Sequence, residues 1–200
     1  MKTDAFNALK SRFRAFLILS LLAFTFACSE DYQPKPRGYF RIGLPSTNYI
    51  PLQSDCPFTF NLNSEAKWIP KEHCWGDIQY PSIRASVQLT YKAIESEEQL
   101  ERILKESQTL AYKHTVKAEG IGEKEYSNPE KNIHGFLYSM QGNAASSSQF
   151  YVTDFENHFL RGVLYFYSVP NADSLKPVNE FMYNEMVQLI ESLEWKNSLP

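Results

Sequence analysis

The sequence predicts an α+β fold in which an antiparallel β-sheet is covered by two helices, as a sandwich. Three observations support this prediction. Segments in the first half alternate apolar and polar residues, the second half holds three aromatic-rich strand candidates, and two segments show the apolar spacing of a helix. No internal repeat is visible along the chain.

Short strands are predicted in the first part of the chain, on either side of a loop-rich stretch at residues 45–57. Their candidate positions are residues 39–42, 58–62 and 75–80. The clearest strand covers residues 83–94, because its apolar residues recur at period two. The face that they form consists of Ile83, Ala85, Val87, Leu89 and Tyr91.

A first helix is predicted to begin after Ser96, whose hydroxyl can accept from the free amides of the first turn. Gln99 stands where a capping box places Glu or Gln. Leu100, Ile103, Leu104, Leu110 and Ala111 follow at helical spacing. Gly120 and Gly122 are predicted to end this helix.

Three strands and a second helix are predicted for the rest of the chain. The strands are residues 134–140, 148–154 and 158–167, with tight turns at 141–143 and 156–157. Residues 171–174 are predicted to cap the helix, and Pro177 is placed in its first turn. The order of these elements resembles the fold shared by the PsbP and Mog1 proteins, a likeness of shape that carries no function.

The N-terminal segment is predicted to be a lipoprotein signal peptide of residues 1–27. Lys2, Lys10, Arg12 and Arg14 form a basic region before an apolar run at residues 15–26. A helix that spans the hydrocarbon core needs roughly 20 apolar residues, so this run is too short to cross it comfortably. It ends at Thr25-Phe26-Ala27-Cys28, which resembles a lipobox.

Cleavage before Cys28 would leave that cysteine as an acylated N-terminus, with palmitate as an expected acyl group. A strict lipobox has Leu and a small residue where Thr25 and Phe26 stand. An ordinary secretory peptide that is cleaved nearby, or a short anchor helix, therefore remains an alternative.

The mature chain is predicted to be acidic, with a tether before a single domain. Without residues 1–27 its formal charge is near −6, which disfavours nucleic acid and anionic lipid as partners. Residues 28–37 contain Pro34 and Pro36 and are predicted to be an extended tether. Residues 38–200 are predicted to form one α+β domain, held at the membrane through its lipid.

Cys56 and Cys74 are predicted to form a disulfide, because Cys28 is assigned to the lipid and the compartment is oxidising. Closing this loop of about 18 residues would stabilise the fold by about 3 kcal/mol. Two free buried thiols are the alternative. A zinc site that includes His73 lacks a convincing fourth ligand.

The sequence names no catalytic residue, cofactor or metal, and the chain is predicted not to be an enzyme. Its four histidines stand in separate elements, and no nucleophile elbow, phosphate-binding loop or dinucleotide fingerprint is present. The small polar run at residues 143–148 could line a pocket, although a loop between two strands explains it equally well.

Several segments together resemble the gliding-motility lipoprotein D (GldD) family. They follow the lipidated cysteine and cover most of the mature chain. They read PKPRGYFR (34–41), CPF (56–58), TLAYKHTVKA (109–118), NPEK (128–131), QGNAAS (141–146), HFLRG (158–162) and PNADS (170–174). This resemblance implies a non-enzymatic envelope protein of the surface-gliding machinery, which is linked to type IX secretion.

The resemblance also implies a location and partners. The Ser29-Glu30-Asp31 segment looks like an acidic signal that sends some lipoproteins to the outer leaflet, so the outer membrane is favoured over the inner. Expected partners are other gliding and secretion proteins of the cell envelope. Candidate partner-binding residues, chosen because cations beside aromatic residues are typical of interfaces, are Arg37, Tyr39, Arg41, Lys113, His114, Lys117 and Arg161.

An alternative hypothesis is an envelope domain that binds or hydrolyses glycan or lipid. Its support is the aromatic-rich sheet, which could form a pocket. A pocket with converging polar groups would favour this alternative, whereas a filled interface between sheet and helices would favour the interaction module.

Overall fold

The computed structural model of the chain describes residues 43–113, 118–142, 146–167 and 172–196. The predicted signal peptide, the tether, the strand at 39–42 and the capping residue Asn171 lie outside these ranges. The described strands are β1 (Tyr49–Pro51), β2 (Phe58–Thr59), β3 (Asn61–Asn63), β4 (Lys67–Pro70), β5 (Gly76–Tyr80), β6 (Ala85–Ala93), β7 (Ala118–Asn128), β8 (Ile133–Gly142), β9 (Ser148–Thr153), β10 (His158–Phe166) and β11 (Glu194–Trp195). The helices are α1 (Glu97–Lys113) and α2 (Ala172–Ser192).

Within the described ranges, seven strands form one antiparallel sheet in the order β4-β5-β6-β10-β9-β8-β7. β1 pairs with β3, and β11 returns from the end of α2 to pair with β2. The α+β class is confirmed. The likeness to PsbP and Mog1 stays a prediction.

The two helices pack on opposite faces of the sheet, so the fold has three layers. Apolar residues of α2 join Val87, Leu160 and Leu164 in the main core. The face under α1 holds a smaller cluster, in which Ala111 contacts Tyr138 and Met140. Because side chains alternate along a strand, β8 and β9 contribute to both cores. Each fully buried large side chain contributes about 1.5–3 kcal/mol.

The period-two pattern predicted the inner face of β6 correctly. Ala85, Val87 and Leu89 are buried, and Tyr91 packs at the margin of the same core. Ile83 is buried as well, but it belongs to a short 3-10 turn before the strand. That turn ends at Arg84, which has a positive φ of 52°.

The start of α1 was predicted correctly, and its end was wrong. The Ser96 hydroxyl accepts from Gln99 N at 3.2 Å, while Gln99 Oε1 accepts from Glu95 N at 2.7 Å. The helix ends at Lys113, and Gly122 lies inside β7, as does Gly120. A Cβ at Gly122 would lie 2.6 Å from Ser139 Oγ, so this glycine permits close pairing with β8.

β7 is an edge strand that the sequence analysis did not predict. It pairs with β8 on one side only, so its outer backbone groups are unpaired within the described part of the chain. Glu123 stands opposite Tyr138 and Glu125 opposite Phe136, on the face that α1 covers. Charges along an edge strand oppose pairing with further strands.

Other differences from the prediction are local. The predicted strand at 58–62 divides into β2 and β3, and β1 lies in the predicted loop. β4 was not predicted, because Trp68 and Ile69 between Lys67 and Pro70 are too short a run to show an apolar period. Pro177 stands in the second turn of α2 rather than its first.

The predicted disulfide between Cys56 and Cys74 is present, with the two Cα atoms 5.5 Å apart. It joins the segment before β2 to the 3-10 turn before β5 and packs at the margin of the main core. None of the helices in the described ranges is long and apolar enough to cross a membrane.

Candidate functional site

Most of the predicted site residues lie outside the described residues. They are Cys28, Arg37, Tyr39, Arg41, His114 and Lys117. Lys113 is the exposed last residue of α1. Of the candidate cations, Arg161 is the one whose contacts the structure describes in detail.

Arg161 lies on β10 in the face that α1 covers. Its Nη2 donates to Gln149 Oε1 at 2.7 Å, across the pair of strands β10 and β9. Burial lowers the pKa of the guanidinium, an effect that the nearby charges of Tyr165 and Glu106 oppose. This geometry gives Arg161 an internal hydrogen bond between neighbouring strands.

A groove lies at one end of the sheet, where three segments from distant parts of the chain meet. The β7–β8 turn, the β9–β10 turn and β11 enclose about 690 Å³. We call this the turn groove, and its lining residues are Glu130, Lys131, Asn132, Asp154, Glu156, Asn157, His158, Glu194 and Trp195. Two of the segments on which the family resemblance rests, 128–131 and 158–162, meet here.

Asp154 organises the β9–β10 turn of the groove. Its side chain is only 7% exposed, and its Oδ1 accepts from the backbone N–H of Glu156, Asn157 and His158 at 2.8–3.0 Å. These bonds hold the turn in which Phe155 has a positive φ of 63°. The carboxylate oxygen that faces the turn is thereby committed to the backbone.

His158 and Trp195 form the aromatic wall of the groove. Their rings stack with centroids 5.0 Å apart and planes 20° from parallel. His158 Nδ1 is 2.8 Å from the Tyr91 hydroxyl, and Trp195 Nε1 donates to the carbonyl of Asn132 at 3.1 Å. Burial lowers the pKa of His158, although the charge of Asp154 opposes this, so the neutral ring is favoured.

Carboxylates outnumber cations around the turn groove. Glu130 and Glu156 are exposed, and Glu194 forms a 3.3 Å ion pair with Lys131. Lys131 also donates to the carbonyl of Glu191 at 3.3 Å, so this cation is held at the rim. In the described ranges, no group of three or more His, Cys, Asp or Glu side chains is placed to hold a metal ion.

This groove was not predicted from the sequence. Trp195 is an isolated aromatic residue after a helix, and Asn132 and Asn157 look like ordinary turn residues. A sequence signal existed for one part of it, since Asp154 precedes a polar turn between two strands.

A second cavity of about 420 Å³ lies between α2 and the strands β8 and β9. We call it the α2 cavity. Its lining residues are Ser139, Met140, Ser147, Ser148, Asn179, Glu180, Tyr183 and Asn184. Two of them, Ser147 and Ser148, belong to the small polar run that the sequence analysis noted, whereas residues 143–145 lie outside the described ranges.

Comparison with protein families supplies the identity of the chain. The model of the gliding motility lipoprotein GldD family matches residues 29–195, which include every residue of both cavities. The chain belongs to this family. As a member of the GldD family it is a lipid-anchored envelope protein of gliding motility. A search of curated proteins finds no match.

Proposed function

We propose that this chain is a non-enzymatic component of the bacterial gliding-motility and type IX secretion machinery, which acts through protein–protein contacts. The observation that carries this proposal is the GldD family match over residues 29–195. Direct partners are expected to be other envelope proteins and lipoproteins of that machinery.

The proposed attachment follows the N-terminal sequence. Residues 1–27 are the signal peptide, Cys28 carries the lipid, and residues 28–37 hold the domain of residues 38–200 away from the membrane. The outer membrane is the proposed location, supported by the acidic Ser29-Glu30-Asp31 segment after the cysteine.

The turn groove is the contact surface that we propose within the described ranges. It combines exposed carboxylates with aromatic groups, and Phe155 beside it is 52% exposed. Exposed aromatic side chains are enriched at interfaces between proteins. A further proposed contact set consists of Arg37 at the end of the tether and five residues of the domain, Tyr39, Arg41, Lys113, His114 and Lys117.

The test is affinity purification of the tagged chain from solubilised envelopes, with mass spectrometry of the bait and of the co-purified proteins. The groove variant is Glu130→Lys with Glu156→Lys. A matched control, Glu72→Lys with Glu101→Lys, makes the same charge change at exposed positions outside the groove. We expect the groove variant to lose secretion or gliding components that the control retains.

Three other outcomes would each remove part of the proposal. If the groove variant retains every partner, the contact surface is elsewhere. If the unaltered chain carries lipid and still purifies alone, the interaction function is wrong. An unmodified Cys28 on an intact N-terminus would contradict the lipid attachment.

The second candidate function is an envelope domain that binds or hydrolyses glycan or lipid. One observation favours the binding form of it, namely the α2 cavity, whose lining combines Met140 and Tyr183 with serine and asparagine side chains. The described residues offer no comparable observation for hydrolysis.

A further inference from the structure

The hollow surface at the β9–β10 turn is larger than the turn groove alone. A second hollow of about 540 Å³ lies between this turn and the start of α1, and residues 94–97, Leu100 and residues 155–157 line it. We call it the α1 depression. It shares Glu156 and Asn157 with the turn groove, so the two hollows adjoin along the turn. A segment of another protein that occupied both would cross the turn beside Phe155.

Carboxylates dominate the lining of these two hollows. Together the hollows contain Glu95, Glu97, Glu130, Asp154, Glu156 and Glu194. Among the described lining residues Lys131 is the one lysine or arginine, and it pairs with Glu194. The other five acids form no ion pair within the described part of the chain. Carboxylates that are gathered without cations between them attract a cationic partner.

Asp154 offers a free acceptor inside this acidic surface. Its Oδ1 accepts the three backbone N–H groups of the turn, whereas Oδ2 has no hydrogen-bond partner among the described residues. Although the side chain is largely buried, Oδ2 retains contact with solvent, so a ligand in the turn groove can reach it. A carboxylate oxygen in this position favours a ligand with a positively charged donor.

Phe155 presents an aromatic ring beside the same carboxylates. The ring is about half exposed, and it stacks on His134 with centroids 5.2 Å apart. The positive φ of Phe155 is rare for a bulky residue, so neither burial nor backbone preference accounts for phenylalanine here. The turn is fixed before any partner binds, because Thr153 Oγ1 accepts from Phe155 N at 3.0 Å and Asp154 holds the next three amides. A fixed turn lowers the cost of ordering on binding.

An arginine side chain matches these groups better than a lysine side chain does. A guanidinium is planar, so it can donate two parallel N–H bonds to a carboxylate and can stack on an aromatic ring. The ammonium of lysine is a compact, strongly hydrated charge without this geometry. The surface supplies both kinds of group, carboxylates throughout and the rings of Phe155 and Trp195.

We propose that the turn groove and the α1 depression together bind an extended, arginine-rich segment of a partner protein. Arginine side chains of this segment bond to Asp154 and to the exposed carboxylates of Glu130 and Glu156, and one of them stacks on Phe155. This inference rests on the contact function proposed above and adds to it the chemistry of the partner.

The experiment is a fluorescence-anisotropy titration of the purified, lipidated full chain in detergent. The probes are labelled peptides in which glycine alternates with arginine, with lysine or with glutamate. We expect the arginine peptide to bind most tightly, the lysine peptide to bind more weakly and the glutamate peptide not to bind. Added salt should weaken the binding, because the contacts are between charges. Absence of binding by the arginine peptide, or equal binding of the arginine and lysine peptides, would overturn the proposal.

A pair of matched variants assigns the binding to this surface. Glu130→Gln with Glu156→Gln is expected to weaken binding of the arginine peptide by about tenfold, since it removes two exposed charge contacts. The control, Glu72→Gln with Glu180→Gln, removes the same charge at exposed positions outside both hollows and should bind as the unaltered chain does. Equal affinities of the two variants would show attraction to net charge alone and contradict the site.

Two further variants test the free oxygen and the exposed ring. Asp154→Asn retains an acceptor for the turn but replaces Oδ2 by a donor, so binding should weaken by about tenfold or more. Phe155→Asn should weaken binding by about threefold through loss of the ring. It should not lower the unfolding temperature, because asparagine tolerates the left-handed backbone. A folded Phe155→Asn chain with full affinity would exclude the proposed stacking.

Affinity purification separates a failure of this inference from a failure of the proposed function. The arginine peptide should displace co-purified envelope proteins from the tagged chain, and the glutamate peptide should not. Partners that remain bound at saturating arginine peptide would contradict this inference and leave the contact function standing. A chain that purifies alone before any peptide is added would instead refute the contact function.

Discussion

At the scale of single residues, a buried carboxylate holds three parts of the fold together. Glu185 of α2 is only 5% exposed and accepts from the hydroxyls of Tyr49 and Tyr80 at 2.8 and 2.9 Å. Tyr49 belongs to β1 and Tyr80 to β5, so this cluster joins the small sheet and the large sheet to the helix. Hydrogen bonds to a charged group contribute about 1.5–3 kcal/mol.

These contacts predict a loss of stability at high pH. Burial and the charge of Glu185 raise the pKa of both phenols, that of Tyr49 to about 12. In the unfolded chain a tyrosine titrates near 10, so above about pH 10 the unfolded chain releases protons first. The contribution to stability is therefore complete below about pH 10 and decreases as the pH rises towards the folded value.

The measurement is urea unfolding at several pH values from about 9 to about 11. The free energy of unfolding should fall as the pH rises, by up to about 1.4 kcal/mol per pH unit for each tyrosine. Tyr80→Phe should be less stable at neutral pH but should show a shallower decline. The control is Tyr167→Phe, at an exposed position. Equal declines in Tyr80→Phe and the unaltered chain would contradict this account.

Gly135→Ala is predicted to be strongly destabilising. A Cβ at this position would overlap the carbonyl oxygen of Tyr151 on β9, and the backbone there is fixed by pairing. Overpacking of this kind costs about 1–3 kcal/mol or more. Gly120→Ala is the control, since its nearest neighbour would be a side-chain atom at 3.5 Å. Thermal unfolding should separate the two variants, and similar midpoints would exclude the proposed overlap.

At the scale of elements, the disulfide is predicted to contribute about 3 kcal/mol through its closed loop. Cys56→Ser with Cys74→Ser should therefore unfold at lower urea concentration than the oxidised chain. Reduction of the unaltered chain should have the same effect, because both treatments open the same loop. If the midpoints did not change, the local packing alone would be sufficient to hold this segment.

Ser96→Ala is predicted to cost about 1 kcal/mol through loss of the helix cap of α1. The hydroxyl that accepts from Gln99 N would be absent, and the first turn would retain an unpaired amide. Thr109→Ala, at an exposed position within the same helix, is the control, since alanine is favourable there. Equal chemical stability of the two variants would show that the cap contributes little.

Local signals explain which elements could be predicted from the sequence. Ser96 and Gln99 mark the start of α1 by their own chemistry, and the alternation along β6 marks its buried face. Gly122 was predicted to end a helix, because the neighbouring sequence does not show its close approach to Ser139. That contact forms only when the later strand β8 pairs with β7. β4 was not predicted for a similar reason, because its short segment becomes a strand only through pairing with β5.

At the scale of the whole molecule, Cys28→Ser is predicted to release the chain from the membrane fraction. The signal peptide would no longer supply an acylated cysteine, and the acidic mature chain has little attraction to anionic lipid. Fractionation of cells with quantitative blotting measures this, with Ser29→Ala as the control. A variant that stays in the membrane fraction without lipid would require a different attachment.

The two cavities show why some sites cannot be predicted from the sequence. The turn groove combines residues near 130, 156 and 195, which come together only through the order of the strands. In the α2 cavity the sequence indicated one wall, the polar run that includes Ser147. It did not indicate Asn179, which has the appearance of an ordinary residue on a helix.

Lipid-anchored copies of the chain are concentrated in the plane of the membrane, where the edge strand β7 of one copy can meet that of another. If two β7 strands paired antiparallel with Lys124 of one copy opposite Lys124 of the other, Glu123 of each would face Glu125 of the other. Pairing about Glu123 would place that residue opposite its own counterpart. Like charges directly opposite are destabilising, so crowding on the membrane should not drive these proteins into ribbons through this edge.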